Sequence, residues 1–135
     1  MTSAFLIIGS VFLGLAALIH LYIFFLESVV WSKPSTWKTF GLASQADADT
    51  VKPMAYNQGF YNVFLAIGAG VGLVMLGSSN WSQGGIALAI FASASMVLAA
   101  VVLITSSPKL ARAALIQGLA PLLGIIFLTL ALITA

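Results

Sequence analysis

Two side chains in the first long apolar stretch carry most of the chemistry this sequence offers: His20, its only histidine, and Glu27, its only glutamate. An imidazole gives and takes protons near neutral pH and ligates metals. A carboxyl accepts hydrogen bonds, carries a proton or holds a cation. The two stand seven positions apart. Seven steps of ~100° return to within ~20° of the start, so on a helix both project from one face, about 10 Å apart along the axis. An ionisable group in an apolar helix is costly and normally faces protein or water rather than lipid. A second polar group follows in the string Tyr56-Asn57-Gln58-Gly59-Phe60-Tyr61-Asn62. Asn57, Gln58, Tyr61 and Asn62 bring uncharged donors and acceptors. Gln117 adds one more amide, four residues ahead of Pro121, whose ring excludes a normal bond to the Gln117 carbonyl. One His and one Glu fall short of the three protein ligands of a catalytic zinc site. No cysteine is present, so no metal site is expected and no cofactor is implied. Haem ligation by His20 would require a second subunit.

The elements that must position these groups are long and apolar. Of 135 residues, 61% are hydrophobic and 6% charged, against about 25% charged in a soluble domain. The expected fold is all-α: a single membrane domain over residues 1–135, an integral four-helix bundle with helices at about 5–31, 56–76, 86–105 and 111–133. The first segment lacks a positive n-region, and its apolar run exceeds the ~7–15 residues of a signal-peptide core, so it reads as a retained helix. The net charge of +2 is too small and dispersed for a nucleic-acid footprint.

The one substantial polar loop is expected at 32–55. In it Trp37 and Phe40 suggest a short amphipathic turn on the membrane surface, and Ser44 suits the N-cap of a short helix ending before Pro53. Trp31 suits an interfacial anchor. Gly68 and Gly72 form a GxxxG spacing that permits close helix approach, within the bundle or between two copies. Three lysines lie in the first loop, and Lys109 and Arg112 lie in or beside the third. The positive-inside rule then places loops one and three in the cytoplasm and both termini outside.

With helices one and two antiparallel, Asn57, Gln58, Tyr61 and Asn62 fall at the depth of Glu27. Asn57, Tyr61, Gly68 and Gly72 share one arc of about 60° on ideal helix geometry. Gln117 lies one or two turns inside the same half. The expected convergence is Glu27, Asn57, Gln58, Tyr61, Asn62 and Gln117 around a pocket floored by His20, a polar cluster in apolar walls. Plainer roles stand beside it. His20 can be a satisfied core donor. Glu27 can snorkel or serve as structural glue, and Asn57 and Gln58 can satisfy the free N–H groups of a helix start.

The pattern His20-(x)6-Glu27 with Trp31 and Phe40, the string Asn57-Gln58-Gly59-Phe60-Tyr61-Asn62, and Gln117-Gly118 ahead of Pro121 together resemble the bacterial membrane family known as domain of unknown function 1304. The resemblance covers nearly the whole chain. It implies a four-helix, multi-pass protein of the bacterial inner membrane, and it supplies neither an activity nor catalytic residues.

Four functional readings fit these residues. The first is a membrane-embedded pocket, open to the cytoplasmic half, for a small, partly apolar ligand. The second is a proton-coupled transporter working as a homo-oligomer, an analogy of architecture to small multidrug exporters. The third is an acid/base enzyme, isomerase-like, using His20 or Glu27; their axial separation argues against a directly coupled pair. The fourth is an accessory subunit whose polar cluster fixes helix register. The bilayer is the one partner common to all four.

Overall fold

The computed structural model describes residues 4–134. Helix α1 (Ala4–Phe24) runs directly into one π-helical turn, Phe25–Val29. A short helix α2 (Pro34–Thr39) precedes α3 (Gln45–Leu76), α4 (Ser82–Ser106) and, after a 3-10 turn at Pro108–Leu110, α5 (Ala111–Ile133). No strand occurs among the described residues. Four segments are long and apolar enough to cross a membrane: Ala4–Val29, Gln45–Leu76, Ser82–Ser106 and Pro108–Ile133. They form an all-helical, four-span bundle. A hydrocarbon solvent offers backbone groups no partners, so each apolar span satisfies its own N–H and C=O groups as a helix.

The spans close a ring in which α1 packs on α3 and α5, and α4 packs on α3 and α5. Large apolar side chains face outward: Val11, Leu18, Phe64, Val74, Phe91 and Leu98 are all exposed. The interior is made of small residues. Ala16, Ala69, Ala89, Ala92 and Ala120 are buried around Leu13, Met96 and Leu128. Association in lipid depends on close van der Waals packing rather than on expulsion of water, so small residues belong at the seams. At Gly72 a Cβ would lie 2.9 Å from the Ala89 backbone nitrogen. The GxxxG pair is thus used inside the bundle, against α4.

The second span departs from expectation at its start. It begins at Gln45, not near 56, so that with α2 most of the expected loop 32–55 is helical. Ser44 caps it: the Ser44 hydroxyl accepts from the Asp47 amide at 3.1 Å. The helix does not end before Pro53, which sits inside it. The proline is exposed, so the backbone groups it leaves unpaired face outward rather than into the packed interior. Buried positions Ala48, Ala55, Asn62 and Ala69 repeat every seven residues straight through it, the period of a left-handed packing seam.

Loop one is a folded cap. Trp31 and Trp37, expected at a lipid surface, are 6% and 4% exposed and pack with Ala48 and Ala55. The Trp31 indole N–H donates to the Ala48 carbonyl at 2.9 Å, and that of Trp37 to Gln45 Oε1 at 3.1 Å. The extra turns of α3 supply the wall that buries them. Helix α2 stops in a Schellman turn: Leu42 N–H bonds Trp37 C=O and Gly41 N–H bonds Lys38 C=O, with Gly41 at φ +80°. Only a residue without Cβ takes that conformation without strain. Gly41 also approaches Leu110, where an added Cβ would meet Leu110 Cδ2 at 3.5 Å, so loop one and the 3-10 turn share one end of the bundle.

Candidate functional site

Glu27 lies within the π-turn, whose defining bond runs from Val30 N–H to Phe25 C=O at 3.1 Å. The π-turn ends the first span, and turns of this kind commonly close helices. Here the widened turn lies against α3 at its narrowest point. A Cβ at Gly59 would collide with Ser28 Oγ and lie 3.2 Å from Glu27 Cβ. Ser28 Oγ donates to the Tyr56 carbonyl at 2.9 Å, tying the two helices together.

This approach brings Glu27 to Asn62. The Asn62 side-chain amide donates to Glu27 Oε2 at 2.9 Å and to its own helix at the Gln58 carbonyl, 3.1 Å away. The second bond aims the amide at the carboxyl group. Glu27 is 8% and Asn62 7% exposed. Among the described residues no lysine, arginine or histidine lies within 4.0 Å of the Glu27 carboxyl oxygens. Oε1 has no hydrogen-bond partner there.

The carboxyl group forms part of the wall of an open recess of about 280 Å³. Trp31, Phe40 and Leu42 line it from the cap, and Val51, Met54, Ala55 and Gln58 from α3, beside Glu27 of the π-turn. The rings of Trp31 and Phe40 meet at 5.2 Å between centroids, tilted by 53°. A second recess, about 170 Å³ between α4 and α5, is walled by aliphatic side chains such as Val97, Ile104 and Leu119. It offers no side chain with a hydrogen-bonding group.

The expected site residues separate into groups. Glu27, Asn62 and Gln58 come together, Gln58 at the rim. Asn57 and Tyr61 are exposed, Tyr61 by 53%, on the outer side of α3. The inward face follows Ala55, Gly59, Asn62, Ala66 and Ala69, so the arc through Asn57 and Tyr61 is not the packed one. Gln117 is half-buried on α5 with no side-chain hydrogen bond, and no α5 residue lines the recess. His20 is 1% exposed, and its Nδ1 donates to the Ala16 carbonyl at 2.8 Å. That bond leaves Nε2 of the neutral ring as an acceptor. His20 does not line the recess, and no hydrogen bond links it to Glu27. Tyr22 is exposed on the far face.

Trp31, Phe40, Leu42, Val51, Met54 and Ala55 line the recess although sequence reasoning gave them no part in a site. The signal that could have found them is the seven-residue spacing Ala48-Ala55-Asn62, which carries the helical seam back through the supposed loop. Among the described residues no cluster of three His, Cys, Asp or Glu side chains could hold a metal ion. The arrangement can accept hydrogen bonds or balance a cation at Glu27. It contains no nucleophile hydrogen-bonded to a base.

Comparison with known proteins returns one family. No curated protein and no solved structure matches the chain significantly. The profile described as protein of unknown function (DUF1304) matches residues 14–129. That span holds the part of α1 with His20, the π-turn with Glu27, α2, α3, α4 and most of α5. The chain belongs to the DUF1304 family.

Proposed function

We propose that this protein is a membrane-embedded binding protein whose recess beside Glu27 takes a small, partly apolar ligand. The observation that carries the reading is a mostly buried Glu27 whose Oε1, unpartnered among the described residues, still reaches the surface beside an otherwise mostly apolar wall. Binding sites of this kind combine apolar lining with a few placed polar groups that fix orientation. Asn62 holds the carboxyl, Gln58 offers an amide at the rim, and the remaining side chains provide the apolar surface. His20 is buried and turned back onto its own helix through its bond to Ala16. All five basic residues lie in the cap, at the start of α3, or at the start of the last span. By the positive-inside rule that end faces the cytoplasm of a bacterial inner membrane, and the recess opens into the cytoplasmic leaflet.

The test is native mass spectrometry of the full chain released in mild non-ionic detergent. Wild type carries a small-molecule adduct, and Val51→Trp, which fills the recess, loses it while keeping its helical content by circular dichroism. Wild type without an adduct, or the same adduct on both proteins, overturns the proposal.

A further inference from the structure

We infer that the ligand of this recess is a lipophilic amine, bound with its ammonium head between Glu27 and the Trp31–Phe40 rings. This rests on the binding reading above and names the chemistry the site selects. Burying a carboxylate is costly unless a countercharge joins it. Among the described residues none does: the hydrogen bond that Glu27 receives there comes from the neutral amide of Asn62. Lys38, in the cap, is turned to Trp37 instead, 5.5 Å from its ring centroid. Two aromatic side chains line the same recess, their planes inclined by 53°. Aromatic faces attract cations through the ring quadrupole. A carboxyl and two tilted rings around one space make a cation receptor.

The remaining walls fix the rest of the molecule. Leu42, Val51 and Met54 offer only apolar surface, which suits an aliphatic tail. At about 280 Å³ the space is at the small end for ligand sites, which run from about 300 Å³ upward. No lysine or arginine lines it, so the phosphate of an aminophospholipid would find no partner. A free amine fits better than a lipid headgroup. The proton balance is simple. A neutral amine meeting a protonated carboxyl, and an ammonium meeting a carboxylate, form the same ion pair, the carboxyl proton of the first case having moved to nitrogen.

The test uses the full chain in maltoside micelles with octylamine, 1-octanol and octanoate as probes, read by thermal unfolding and tryptophan fluorescence. Octylamine raises the unfolding midpoint of wild type by several degrees at concentrations where octanol and octanoate do not. Glu27→Gln, which keeps a hydrogen-bonding partner for Asn62, abolishes the shift. Phe40→Leu, outside the spans, weakens octylamine binding about threefold, as expected for one cation–π contact. Equal shifts from octylamine and octanol, both lost in Val51→Trp, would leave the recess as a binding site and overturn the amine. No shift from octylamine overturns the amine as well, and the adduct experiment above then judges the recess by itself. Displacement of octylamine by added phosphatidylethanolamine would assign the head to a lipid and overturn the free amine.

Discussion

Glu27 and Asn62 behave as a unit because each limits what the other can become. Asn62 gives the buried carboxyl its one internal hydrogen bond. Replacing it with leucine leaves a buried carboxyl without its donor, and an unsatisfied buried polar group costs about 1–3 kcal/mol. Asn62→Leu is therefore expected to lose about 2 kcal/mol, read as an earlier unfolding transition when mild detergent is titrated with a denaturing one. Glu27→Gln keeps a bonding partner and removes the charge, so its loss is expected to stay below about 1 kcal/mol. The inward aim of His20 and Glu27 was legible in the sequence, since seven residues nearly complete two turns. The partnership with Asn62 was legible only as a shared depth. Asn57 and Tyr61 lie off the packed face, because an arc through Gly68 and Gly72 holds only for ideal helix angles. Small drifts in phase add up over fifteen residues, and the true seam runs through Ala55 and Gly59.

The elements divide into those that hydropathy reveals and one that it hides. Spans α1, α4 and α5 begin and end within a few residues of where the apolar runs suggest, because a lipid solvent forces a helix on any such run. The cap and the early start of α3 were not legible. Lysines, aspartates and Pro53 there look like a loop, yet the proline lies on an exposed face. The small alanines that carry the seam barely register against those charges. The sharpest stop in this region is Gly41, at φ +80°. Gly41→Val is expected to cost about 1–2 kcal/mol through left-handed strain. Quenching by iodide of the otherwise buried Trp31 and Trp37 should rise, while far-ultraviolet helix signal from the four spans holds.

For the molecule as a whole, charge asymmetry becomes a statement about orientation. The chain has no cysteine, so single substitutions report sidedness cleanly. In intact cells an impermeant maleimide is expected to label Ser79→Cys, in the turn between α3 and α4, and to reach Ser35→Cys in the cap only after permeabilisation. The reverse pattern would invert the topology. One further property follows from the length of α3. Its 32 residues span ~48 Å, against ~30 Å for the hydrocarbon layer. Held upright, the helix would leave roughly three turns clear of it, and on the proposed orientation these are the first turns of α3, which would set the mouth beside Met54 near the headgroups. On the proposed reading, a greasy guest would arrive there sideways, by two-dimensional diffusion within the bilayer. Its dose would then be counted per lipid rather than per litre, with the bilayer as the reservoir.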